Sequence, residues 1–167
     1  MQSEKIRPIL NRLGFFTNNV SESWDALAFT YDSVNLLFIP DDDDNTLIFT
    51  APNLFEVDDE NRAFVHDILN ELANTVKFIK PSILYGNSVY LSYEYYLADS
   101  EPTDEIVEHI IRLLGLSFYK FHDLVNRDGE SVYDDDEDEE LAALDDEDTD
   151  DHDDDTDNEM TDEEDRL

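Results

Sequence analysis

The sequence predicts an α+β domain of two layers, with helices laid on one face of an antiparallel sheet, and three observations predict it. Apolar residues recur at the 3.6-residue helical period in three separate stretches, and between them they alternate at the period of two that marks strands. The charge is also partitioned. Residues 128–167 hold 24 acidic side chains against one basic, a balance of −23, whereas residues 1–127 hold 21 against 9, a balance of −12. The first 127 residues therefore carry the core, and the acidic remainder is set apart from it.

Ile6, Ile9, Leu10 and Leu13 share one helical face and predict a short opening helix. Pro8 lacks an amide donor and clashes with the preceding turn, so a frayed start is expected, with a stop at Gly14. After the polar stretch 17–23 the period changes. Leu27, Phe29 and Tyr31 alternate with Ala28 and Thr30, Asp32-Ser33 suits a tight turn, and Val34 to Ile39 is a nearly continuous apolar run. Pro40, Asp41 to Asp44 and Asn45 read as a solvated turn before a third strand, Thr46 to Ala51. These make a three-strand meander.

Asp58 or Asp59 is the expected N-cap of a second helix carrying Phe64, Val65, Ile68, Leu69, Leu72 and Val76 on one side. Lys77 to Leu84 reads as extended, and Pro81 confines it to an edge or a bulge. Gly86-Asn87 is a turn dipeptide. The strand that follows, Ser88 to Ala98, is the most regular in the chain. Val89, Leu91, Tyr93, Tyr95 and Leu97 face one way, and Tyr90, Ser92, Glu94 and Tyr96 the other. Thr103 caps a third helix whose first turn carries Asp104 and Glu105. Its apolar face includes Ile106, Ile110, Leu113, Leu114, Phe118, Phe121 and Leu124, and its expected end lies near Arg127 to Gly129. Gly115, in mid-helix, costs ~1 kcal/mol relative to alanine and marks a kink or close packing.

With no cysteine in the chain, disulfides, thiolate nucleophiles and Cys-ligated zinc are excluded. The residues from Met1 to Leu13 have no signal-peptide apolar run, and nothing approaches the ~20 apolar residues of a spanning helix, so a cytoplasmic address is expected. The balance of −12 on residues 1–127 makes nucleic acid and anionic membranes poor partners. No Gly-rich phosphate loop, nucleophile elbow or paired-histidine zinc motif is present, so neither enzyme activity, cofactor nor metal is expected. His66 and His109 read as surface or boundary histidines on helices whose apolar faces are already complete. Asp41 to Asp44 would suit either a weakly held divalent cation or, more simply, a solvated turn.

The stretch Glu56-Val57-Asp58-Asp59-Glu60-Asn61-Arg62, running on to Ile68-Leu69-Asn70-Glu71-Leu72-Ala73-Asn74, resembles the helix entry and "LN-x-LN" run of the YbjN family. Ala73 departs from the second leucine of that run. The Gly-Asn turn, the strand around Val89 to Glu94 and the helix from Ile106 to Phe121 continue the resemblance, which spans roughly residues 4–126. It implies the fold of type III secretion chaperones and a non-enzymatic, homodimeric protein that binds a polypeptide in extended form. Some members of the family carry a provisional label as sensory-transduction regulators. The acidic segment has no counterpart in the family pattern.

The expected partner surface joins Tyr90, Glu94 and Tyr96 on the outer face of the long strand with Phe118 and Phe121 on the last helix. Tyr90 and Tyr96 are either plain packing residues or, if no helix covers them, an exposed aromatic patch of the kind enriched at interfaces. The acidic segment 128–167 cannot bury enough apolar surface to offset its ordering entropy, so it is expected to be disordered. Its roles would be solubility or, as an alternative function for the whole chain, electrostatic mimicry that captures basic partners or cations.

Overall fold

The computed structural model describes residues 2–42, 45–98 and 100–141, with side chains described as far as Arg127. Its elements run α1 (Gln2–Arg12), β1 (Asn18–Asn19), β2 (Leu27–Tyr31), β3 (Val34–Pro40), β4 (Thr46–Ala51), α2 (Arg62–Thr75), β5 (Ile79–Leu84), β6 (Ser88–Tyr96) and α3 (Asp104–Leu141). The sheet is six-stranded in the order β1-β2-β3-β4-β6-β5, with every pairing antiparallel. The expected α+β order of helix, three strands, helix, two strands and helix is therefore observed, with the short β1 added.

One residue of register separates the two faces of this sheet. Leu27, Phe38, Phe49, Tyr93 and Ile79 stand directly opposite one another across five strands, and all five are buried. They form one core with Ile6, Ile9 and Leu10 of α1, Val65, Ile68 and Leu72 of α2, and Val107, Ile110, Ile111 and Leu114 of α3. The adjacent row, Ala28, Leu37, Thr50, Ser92 and Lys80, lies on the other face. Pro81 sits on the edge strand β5, where a missing amide donor is tolerated.

Four local expectations are corrected. Helix α1 is not frayed at its start but runs from Gln2 with Pro8 inside it. Its first turn is anchored by buried polar side chains: Gln2 Nε2 donates to the Thr46 carbonyl at 2.9 Å, and the Ser3 hydroxyl donates to the Asp25 carbonyl. Those contacts offset the donor that Pro8 lacks. The predicted stop at Gly14 is observed, with φ +91° and hydrogen bonds donated by the Gly14 amide to Asn11 O and by the Phe15 amide to Leu10 O that close a Schellman cap.

At α2 the N-cap is Asn61, not Asp58 or Asp59. Asp58 Oδ1 instead accepts from the Glu60 and Asn61 amides at 2.9 Å, and Asn61 Oδ1 accepts from the Asp58 amide, so these residues fix the turn ahead of the helix. The polar stretch 17–23 contributes β1, which pairs through Asn18 and Asn19 with Ala28 and Leu27. Two exposed asparagines carry no hydrophobic period, so nothing in the sequence announces them as a strand.

Finally, α3 does not stop near residues 127–129 but continues to Leu141. A glycine ends a helix by adopting left-handed backbone, and Gly129 lies within right-handed helix followed by the good helix formers Glu130, Glu137, Glu139 and Glu140. The rest of the acidic segment, 142–167, for which disorder is expected, lies outside the described residues.

Thr103 caps α3 as expected, its hydroxyl accepting from the Ile106 amide at 3.4 Å. Beside it, Arg12 Nε donates to Asp104 Oδ2 at 3.0 Å and joins the end of α1 to the start of α3. The hydrogen bond from Arg12, more than any other influence, holds the Asp104 carboxyl below its ordinary pKa. A carboxyl depressed in the folded state adds stability above the ordinary value of about 3.9 and loses that contribution as the pH falls through the folded value. Asp104→Asn is therefore expected to lower the urea midpoint at neutral pH and to converge on the wild type in acid. Equal differences at both pH values would refute the coupling. The effect is small, because the pair is exposed.

Candidate interaction site on the open sheet face

The face opposite the helices carries the row Ala28, Leu37, Thr50 and Ser92, and here the sheet forms an open hollow of about 520 Å³. Its floor is Leu37 and Ile39 of β3, Thr50 of β4 and Ser92 of β6. The floor is polar only along one line: the Ser92 hydroxyl meets Thr50 Oγ1 at 3.1 Å, and the Thr50 hydroxyl donates to the Leu91 carbonyl at 3.2 Å. The rest of the floor is aliphatic.

Aromatic groups stand at both ends. Trp24, the sole tryptophan of the chain, lies in the segment before β2. At the far end are Tyr85 and Tyr90, with rings 5.8 Å apart and inclined at 70°. The Tyr90 hydroxyl donates to Asn53 Oδ1 at 2.7 Å, which fixes the ring against the segment after β4. Two of these rim residues have left-handed backbone, Asn53 at φ 54° and Tyr85 at φ 39°. Asparagine tolerates that region, whereas a bulky ring held there is uncommon. Tyr85 is also 85% exposed, so no core contact explains its position. The β5–β6 turn, residues 85–87, holds an aromatic ring at the edge of an apolar hollow.

The five residues expected to form a partner surface divide between the two sides of the sheet. Tyr90, Glu94 and Tyr96 lie on the open face, and Tyr96 is 68% exposed. Glu94 pairs with Lys80 of β5 at 3.0 Å. Phe121 is buried in the core, its ring edge-on to Phe55, and Phe118 is half-buried beside Tyr119 and His122. The structure thus sets Tyr90, Glu94 and Tyr96 along one face of β6, of which only Tyr90 lines the hollow, and leaves the two phenylalanines on the helical side.

Trp24, Leu37, Ile39, Pro52, Asn53, Leu84 and Tyr85 complete the hollow and were not legible as site residues. One signal was present. Val34 to Ile39 is apolar on both faces, yet a two-layer fold covers only one, so Leu37 and Ile39 had to meet something other than the three helices. His66 and His109 are exposed, as read. Asp41 and Asp42 occupy the β3–β4 turn, and Asp43 and Asp44 lie outside the described residues. Among the described residues no group of three or more His, Asp or Glu is placed to hold a metal ion, and no helix is long and apolar enough to cross a membrane.

Comparison with solved structures decides the fold. YbjN of E. coli, provisionally described as a transcription regulator, superposes with a TM-score of 0.57 at 16% identity, over 75% of this chain and 92% of that one. The fold is YbjN-like. An uncharacterized protein from Methanothermobacter thermautotrophicus has the same fold, with a TM-score of 0.53 at 14% identity over 76% of this chain and 99% of its own. By sequence, no protein-family model and no curated protein matches the chain.

Proposed function

We propose that this chain is a non-enzymatic polypeptide-binding module, chaperone-like or regulatory, that receives an extended segment across its open sheet face. The observation that carries the reading is the apolar hollow flanked by Trp24 at one end and Tyr85 and Tyr90 at the other, on the face that the helices leave free. Aromatic rings with one polar tip are the side chains most enriched at protein interfaces. The description of E. coli YbjN as a regulator suits the reading if regulation works through protein contact. With 21 acidic against 9 basic side chains in residues 1–127, a nucleic-acid backbone would be repelled. A homodimer belongs to the proposal on the strength of the family resemblance, and sedimentation of the intact chain tests it.

A second reading rests on the acidic segment, whose 24 acids against one base could by themselves hold a basic partner. One experiment separates the two. Ser92→Arg places a long side chain on the floor of the hollow, where Ser92 is half-buried, without touching the acidic segment. Full-length wild type and variant would be used for affinity capture, with washing at low salt and near 0.5 M, where the Debye length is roughly 4 Å. The expected result is a polypeptide that stays on the wild type at high salt and is lost from the variant. Partners that bind both proteins equally and wash off with salt would move the function to the acidic segment.

A further inference from the structure

Resting on that reading, we infer that the segment is anchored in the hollow by a tryptophan side chain, an uncharged ring that brings its own hydrogen-bond donor. The register lays out the site. Leu37, Thr50 and Ser92 are cross-strand neighbours and form its middle row. Ile39 stands one row to one side and Tyr90 one row to the other, each two residues along its strand, about 7 Å away at ~3.4 Å per residue. An anchor seated on the middle row therefore lies between an aliphatic and an aromatic neighbour.

Charge excludes one class of anchor. Among the described residues that line the hollow none is charged at neutral pH, although residues 1–127 hold 21 acids and 9 bases. The nearest charges by register are Lys80, opposite Ser92, and Glu94, two residues beyond it, and these pair with each other at 3.0 Å. A lysine, arginine or carboxylate seated on the floor would lose water without gaining a partner.

The hydroxyls choose among uncharged side chains. Thr50 gives its one proton to the Leu91 carbonyl at 3.2 Å, so Ser92 must be the donor in the 3.1 Å bond between the two. Both hydroxyl protons of the floor are thereby committed, and Ser92 Oγ offers only lone pairs. A donor placed over it gains a bond, whereas an acceptor would first have to break the one between Ser92 and Thr50. Indole is a donor only; tyrosine brings an acceptor with its donor, and phenylalanine and leucine bring neither. Size agrees with an indole. A cavity of about 150 Å³ takes a single benzene ring, and the hollow, at about 520 Å³, has room for a two-ring side chain entering from the open side. The edge-on rings of Tyr85 and Tyr90 offer it the inclined contacts that aromatic pairs prefer.

The probe is N-acetyltryptophanamide, the side chain with uncharged ends, titrated into the isotope-labelled full-length chain and followed by amide chemical shifts. Three companions accompany it: the benzothiophene analogue, in which sulfur replaces the indole N–H at nearly the same shape, N-acetylleucinamide and N-acetylargininamide. Saturable shifts at Leu37, Thr50, Tyr90 and Ser92 are expected with the indole. The benzothiophene should bind about two- to tenfold more weakly, the worth of one neutral hydrogen bond. In Ser92→Ala the two should bind equally. Ser92 is half-buried and Thr50 keeps its bond to Leu91, so this variant retains the fold. Equal binding of indole and benzothiophene to the wild type, a difference that survives Ser92→Ala, or tighter binding of the leucine or arginine amide would overturn the anchor and leave the hollow as a polypeptide site. If no amide shifts the hollow, the anchor falls, and the polypeptide reading is decided separately by the capture with Ser92→Arg.

Discussion

Phe49→Ala is expected to remove about 3–5 kcal/mol of stability, the cost of deleting a fully buried aromatic ring from a close-packed core. Phe49 has no exposed surface, and its ring lies 5.1 Å from Phe38 and 6.2 Å from Phe29. It is the middle member of the inward row that joins five strands, opposite Phe38 on one side and Tyr93 on the other. A cavity here has partners on both sides that cannot close it without moving two strands. Against a total stability of roughly 5–15 kcal/mol, the loss would leave the variant marginal.

Its neighbour is the control. Ile48 is on the same strand but the opposite face and is half-buried, so Ile48→Ala is expected to cost roughly half as much or less. Urea unfolding followed by far-UV circular dichroism measures both. If the two losses proved equal, the division of the sheet into a covered and an open face would be wrong.

That division marks the limit of what the sequence disclosed. Strands β2, β3, β4 and β6 and the inward set of α2 were legible because period decides them: Val89, Leu91 and Tyr93 are buried where Tyr90, Ser92 and Glu94 are not. Pro81 likewise placed β5 at an edge, because a missing amide is intolerable in a central strand. The failures share a different cause. Helix α1 starts at Gln2 because Thr46 and Asp25, far along the chain, supply acceptors for its first two side chains. Asn61 displaces Asp58 as a cap because two asparagine–aspartate bonds settle which turn each residue serves. No local pattern encodes such choices.

The candidate site was legible in one residue for the same reason. Alternation alone put Tyr90, Glu94 and Tyr96 on one face of β6, but only Tyr90 lines the hollow, where Trp24 and Tyr85 join it through strand order and the left-handed turn at residues 85–87. Phe121 was assigned to a surface because helical period gives the apolar face of α3 without saying how much of it the sheet and α2 consume. In the structure it is consumed by the core, against Phe55.

Gly115→Ala is expected to destabilise the protein even though alanine is the better helix former. A Cβ at position 115 would lie 2.4 Å from Cε1 and 2.9 Å from Cδ1 of Tyr31, inside any real contact distance. The Tyr31 ring is not free to swing in every direction, because Phe15 stands edge-on to it at 6.1 Å. One turn further along α3, the Tyr119 hydroxyl donates to Asp32 Oδ2 at 3.0 Å, so the same helical stripe grips the β2–β3 turn at two points. Overpacking of this kind costs about 1–3 kcal/mol, against the ~1 kcal/mol that alanine gains over glycine in a helix. The balance is a net loss of up to about 2 kcal/mol on those figures. With the ring removed, in a Tyr31→Ala background, the clash disappears and only the helical gain remains, so the sign should invert. A double-mutant cycle in urea reads that inversion directly. A substitution equally harmful in both backgrounds would mean that Gly115 is required for its backbone, not for the space it leaves to Tyr31.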